Sequence, residues 1–177
     1  MQNAGGKAGM RALRFSSQAG IMHSLLLEET WDAFPLAKAE IRSSFSLTLD
    51  GHLICDFYTA EEWEKLEAAG YRCLPYGRLR KICLETISGK RAPGYFKFVF
   101  LAPPALVSQL LDQAGNGMRS EDVDALAMNL TYRDGSLRLT TGTSCRIFSM
   151  DKSLDQVWDH WVCEFLSKNH LDWSELV

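Results

Sequence analysis

The strongest constraint on the fold is a pattern that occurs twice along the chain. With an offset of 85 residues, Leu13 and Phe15 fall on Phe98 and Phe100, Ile21-Met22 on Leu106-Val107, and Leu25-Leu26 on Leu110-Leu111. Further on, Ile41, Phe45 and Leu47 fall on Leu126, Leu130 and Tyr132, and the turns Asp50-Gly51 and Asp134-Gly135 align after a slip of one residue. Each half reads as strand, helix, strand, hairpin, strand. A unit of one helix and one antiparallel meander has an apolar face that it cannot bury alone. Two such units, paired about a pseudo-twofold axis, bury those faces against each other in one continuous sheet. The expected fold is therefore α+β: a mainly antiparallel sheet from two β-α-β-β-β units, about 10–90 and 95–150, with helices on one face. A C-terminal amphipathic helix at 153–169 completes it.

Local signals fill in this frame. Arg11–Phe15 alternates as a short strand, and Ser16 or Ser17 caps a helix whose Ile21, Met22, Leu25 and Leu26 share a face. Even spacing from Ala39 to Leu49 predicts a strand, and Asp50-Gly51 predicts a hairpin returning through His52–Tyr58. Thr59 and Glu62 fit a capping box for a helix ending at Gly70. Arg72–Ser88 is open between strand and short helix, followed by a loop at Gly89–Gly94. Tyr95–Leu101 predicts a strand, Pro103-Pro104 a helix start, and Val123–Tyr132 a strand that turns at Asp134-Gly135. Ser136–Thr141 and Cys145–Met150 are expected to finish the sheet, and Ser153 with Gln156 to cap the last helix.

The 177 residues are 46% hydrophobic and 23% charged, the composition of a globular domain rather than of a disordered or collagen-like chain. A single domain over 10–177 is expected, after a small, polar lead-in at Met1–Gly9 that lacks the apolar core of a signal peptide. Met10 is an alternative start. The longest apolar runs fall far below the ~20 residues of a membrane-spanning helix. Five widely spaced cysteines with no C-x-x-C pair point to free thiols in a reducing compartment, so a cytoplasmic location is expected. The four histidines have no metal-ligand spacing, and no metal or other cofactor is expected.

Charge is uneven. The net charge is -3, yet Arg72–Lys97 holds seven basic residues against Glu85 alone, making the remainder -9. Arg78, Arg80, Lys81, Lys90, Arg91 and Lys97, with Tyr76, Tyr95 and Phe96 between them, are candidate contacts for phosphates or nucleic acid. A solvated edge that complements the acidic remainder accounts for the same run. The last helix carries Trp158, Trp161 and Phe165 in a wide apolar stripe, which either seals the core or docks a partner. Thr140–Ser144 lacks P-loop spacing and reads as a hydroxyl-rich turn. No G-x-S-x-G elbow occurs and each cysteine lacks a sequence-adjacent base, so no catalytic residue is assigned.

The doubled strand-helix-three-strand order resembles one domain of the DNA sliding-clamp family. Those clamps present basic helices to DNA, whereas Ser17–Glu28 and Pro104–Ala114 contain no Lys or Arg. A second resemblance rests on Leu47–Gly51, Gly89–Pro93 leading to Phe96-Lys97, Thr140–Ser144, and Leu154-Asp155 before Trp158-Asp159. These segments resemble an uncharacterised domain family of clostridial-type bacteria, which implies a bacterial cytoplasmic protein and transfers no catalytic residues. The functional expectation is a non-enzymatic, clamp-like module that binds a protein or nucleic-acid partner. An enzyme acting on a small anionic metabolite and a structural homo-oligomer are the alternatives.

Overall fold

The computed structural model describes residues 10–176, and the expected lead-in at Met1–Gly9 lies outside them. In chain order the elements are β1 (Ala12–Phe15), α1 (Gln18–Leu27), β2 (Leu36–Arg42), β3 (Ser46–Asp50), α2 (Ala60–Ala68), α3 (Arg80–Ile87), β4 (Tyr95–Leu101), α4 (Pro104–Ala114), β5 (Val123–Arg133), β6 (Ser136–Cys145), α5 (Ser153–Lys168) and β7 (Trp173–Glu175). The seven strands form one sheet in the order β3-β2-β4-β5-β6-β1-β7, and every pairing is antiparallel. The fold is α+β, as the sequence predicts.

Strict alternation divides the sheet into two unlike faces. On β4, Phe96, Phe98 and Phe100 are buried while Tyr95, Lys97, Val99 and Leu101 are only partly so. The register aligns the buried set with Tyr132, Leu130 and Met128 of β5, and these continue to Leu137 and Leu139 of β6. Ile21 and Leu25 of α1, Cys83 of α3, Leu110 of α4 and Trp158 of α5 join the same core. Each large side chain buried this way contributes about 1.5–3 kcal/mol. Trp31 and Tyr76 are fully buried among them, and each satisfies its polar atom. Trp31 Nε1 donates to Ser24 Oγ at 2.8 Å, and Tyr76 Oη donates to the Leu25 carbonyl at 3.0 Å.

Four local expectations are corrected. First, Asp50-Gly51 is not a hairpin turn. The chain reverses earlier, where Ser43 N donates to Phe45 O, so the predicted Ala39–Leu49 strand is two strands paired Ile41 to Leu47. Gly51 is needed for closeness instead: a Cβ there would lie 1.8 Å from the Leu36 carbonyl oxygen. Second, His52–Tyr58 is no strand; His52 bridges Cys73 and Cys55–Phe57 is a short 3-10 turn. Third, β6 runs unbroken through Thr140–Ser144 to Cys145, and Arg146–Met150 is loop. Fourth, Gln156 makes no capping box with Ser153. Asp151 Oδ1 accepts from Ser153 N at 2.7 Å instead.

Asp134-Gly135 does turn the β5–β6 hairpin, with φ of 50° and 73°, the left-handed pair that such a turn requires. The Thr59–Glu62 capping box also forms. Strand, helix and hairpin do follow one another in both halves, yet the strands pair differently. β4 lies beside β2 and β5, whereas β1 leaves its own half to pair with β6 and β7. α2 contributes no buried residue and stands apart from the core cluster.

Candidate functional site

The second face of the sheet carries a grid of side chains fixed by register. One row crosses six strands at Thr48, Glu40, Lys97, Thr131, Arg138 and Arg14. The next holds Asp50, Lys38, Val99, Asn129, Thr140 and Ala12. A third holds Ser46, Arg42, Tyr95, Arg133 and Ser136. Six cations thus share this face with two carboxylates, Glu40 and Asp50.

The two carboxylates are already engaged. Glu40 receives Arg42 Nε at 2.8 Å and lies 3.7 Å from Lys38 Nζ; the hydrogen bond from Arg42 holds its carboxyl below the usual range. Asp50 Oδ1 lies 2.6 Å from His52 Nδ1. Arg42 also covers the Tyr95 ring, 5.0 Å from its centroid. Among the described residues, no carboxylate lies within ion-pair distance of Arg14, Lys97 or Arg138. Arg138 Nε reaches only Ser136 Oγ, at 3.3 Å. Adjacent strands are ~4.8 Å apart, so Arg138 and Arg14 sit side by side, two and three strands from Lys97. The row carries three cations against one carboxylate, Glu40, which Arg42 already holds.

The residues singled out by local charge density do not form one surface. Arg80 lies on α3, on the helical side of the sheet, with Nε 2.9 Å from Asp32 Oδ1 and Nη2 donating to Asp32 Oδ2 at 3.1 Å. Lys81 is 4.0 Å from Glu85 one turn on. Arg78 is exposed in the short turn before α3, and Lys90 and Arg91 are exposed in the loop before β4. Lys97 alone points from the open face. Arg14, Lys38, Arg42, Arg133 and Arg138 escaped the sequence reading because they are spread one or two to a strand over β1, β2, β5 and β6, with no local run of positive charge. Only the register collects them.

The aromatic stripe of α5 is turned inward. Trp158 is fully buried, Trp158 and Trp161 stack at 5.5 Å, and Trp161 stacks on Phe165 at 5.4 Å. Phe165 in turn meets Trp31 and Phe34. These rings seal one end of the core.

A polar seam joins β1, β6 and α5. Arg11 N donates to Thr141 Oγ1 at 2.8 Å, Thr141 Oγ1 donates to Asp159 Oδ1 at 2.5 Å, and Arg11 Nη1 donates to Cys163 Sγ at 3.2 Å. Burial raises the pKa of both Asp159 and Cys163, outweighing the opposing pull of Thr141 on the first and Arg11 on the second. Cys163 is therefore a protonated, packed thiol. Burial likewise pushes Cys73 up to about 11 and Cys83 up to about 12, so neither is an activated nucleophile. Among the described residues no three His, Cys, Asp or Glu side chains converge as a metal site. No helix among them is long and apolar enough to cross a membrane.

Of the comparisons with known proteins, a family model described as a family of unknown function (DUF5721) matches residues 24–174. The match includes Lys97 and Arg138, and Arg14 precedes it. Neither the curated proteins nor the solved structures yield a match.

Proposed function

The chain belongs to DUF5721, a family of unknown function, and we propose that it is a non-enzymatic module that binds nucleic acid on the open face of its sheet. The observation that carries this reading is the cross-strand pairing of Arg14 with Arg138, in one row with Lys97; among the described residues none of the three makes an ion pair with a carboxylate. Like charges directly opposite on adjacent strands are destabilising. A bound phosphate converts that repulsion into two charge-assisted contacts.

The chemistry of the face suits backbone recognition. Thr131, Thr140, Asn129 and Ser136 supply hydroxyl and amide donors between the cations, and phosphate contacts of this kind fix position without reading sequence. Tyr95 offers one ring for stacking a base. The clamp-like reading of the element order would put the ligand on helices, but α1 and α4 carry no Lys or Arg. The proposed mode is therefore binding across the sheet, without encirclement. An enzyme acting on a small anion has less support, because these cations lie spread over an open sheet face rather than converging in a pocket.

Binding of labelled single-stranded and duplex DNA across a salt series tests the proposal. Three phosphate contacts predict a slope of log affinity against log salt of about -2 to -3. Absence of binding at low salt would overturn it.

A further inference from the structure

A second site lies at the other end of β5, independent of the open face. A cleft of about 800 Å³ separates α2 and its Gly70 turn from the start of α4 and the start of β5. Pockets for small molecules fall within roughly 300–1,000 Å³ and combine apolar walls with a few convergent polar groups. Here Trp63, Tyr71, Leu101, Val107 and Leu126 provide apolar wall, and Arg72, Asp124 and Arg146 provide the polar group.

That polar group is built by an irregularity in the sheet. The β5–β6 register shifts between Val123 and Ala125, leaving Asp124 as the extra residue of a bulge, the device by which strands re-aim a side chain. Asp124 Oδ1 accepts from Arg72 Nη1 at 3.0 Å, and Arg72 Nη2 also donates to the Asp124 carbonyl. Arg146 differs. Its backbone N–H is fixed to the Asp122 carbonyl at 2.8 Å, but its side chain reaches Asp124 Oδ1 only at 3.9 Å, beyond hydrogen-bond distance. Two guanidiniums face one carboxylate, and Arg72 already holds it. Arg146 brings an anchored, uncommitted fork of donors to the cleft.

We infer that this cleft binds a small aromatic carboxylate, its ring against Trp63 and Tyr71 and its carboxylate on the Arg146 guanidinium. A planar carboxylate matches the guanidinium fork. Glu67 and Glu121 line the same cleft and oppose a dianion such as a phosphate monoester.

Isothermal titration calorimetry with indole-3-acetate as probe, and its uncharged amide as control, tests this site. The expected results are saturable binding of the acid, at least tenfold weaker binding of the amide, and at least tenfold weaker binding of the acid to Arg146→Ala. Because Arg146 is exposed and makes no side-chain hydrogen bond, that variant is expected to melt with the parent protein, and Arg146→Lys serves as a second, charge-retaining variant. No binding of the acid, equal binding of the amide, or unchanged affinity in both variants would overturn the inference.

Discussion

Arg14 of β1 and Arg138 of β6 face each other as direct cross-strand partners on the side of the sheet that the core does not use. Their neighbours in register, Leu13 and Leu139, are both fully buried. The alternation that buries the leucines forces the arginines out together. Among the described residues neither has a carboxylate partner, so each repels the other across one strand spacing.

Relieving that repulsion separates stability from binding. Arg138→Gln is expected to raise stability by about 0.2–1 kcal/mol, the range of a single cross-strand pair. It is expected to weaken DNA binding and to reduce the salt slope by about one. Thermal melting and the salt series read both effects. A loss of stability together with unchanged binding would mark Arg138 as a structural residue.

The fold was legible wherever alternation or turn chemistry was uninterrupted. β4 and the β5–turn–β6 hairpin followed from Tyr95–Leu101, Val123–Tyr132 and the Asp134-Gly135 pair. It was illegible where even spacing ran straight through a reversal. Ile41, Phe45 and Leu47 keep strand periodicity, yet Phe45 stands exposed at the tip between β2 and β3. The candidate site was less legible still. Local density favoured Arg80 and Lys81, whose charges face Asp32 and Glu85, while Arg14 and Arg138 lie 124 positions apart and only sheet order unites them.

Tyr76 ties the turn before α3 to the end of α1. Tyr76→Phe removes the hydroxyl from the buried Leu25 carbonyl and leaves that acceptor without its side-chain partner. The expected cost is about 1–2 kcal/mol, measured by urea unfolding with an unchanged slope. A cost near zero would place water at the Leu25 carbonyl in the variant.

α2 is held locally rather than by the core. Its capping box joins Thr59 and Glu62 at both ends, with Glu62 Oε2 accepting from Thr59 N at 2.9 Å, and it buries no residue. Thr59→Ala is expected to weaken the helix by about 1 kcal/mol. The effect should appear as faster amide exchange across Ala60–Ala68 with an almost unchanged global melting temperature. An equal fall in global stability would show that α2 unfolds only with the core.

Asp159 predicts a pH dependence of definite sign. Burial raises its folded-state pKa, so the folded protein holds the proton more tightly than the unfolded chain does. Stability therefore falls as pH rises from the ordinary carboxylate range through the raised value. Asp159→Asn keeps an acceptor for Thr141 and removes the titration. Its melting temperature is expected to rise relative to the parent as pH increases through that window. A difference independent of pH would contradict the account of this seam.

The most direct test of the open-face proposal is backbone amide chemical-shift mapping during titration with a short single-stranded DNA. The account predicts shifts concentrated on β1, β4, β5 and β6 around Arg14, Lys97, Thr131 and Arg138, abolished together in the Arg14→Gln, Arg138→Gln double variant. Shifts confined to α3 and the Lys90-Arg91 loop, with the sheet unmoved, would contradict it.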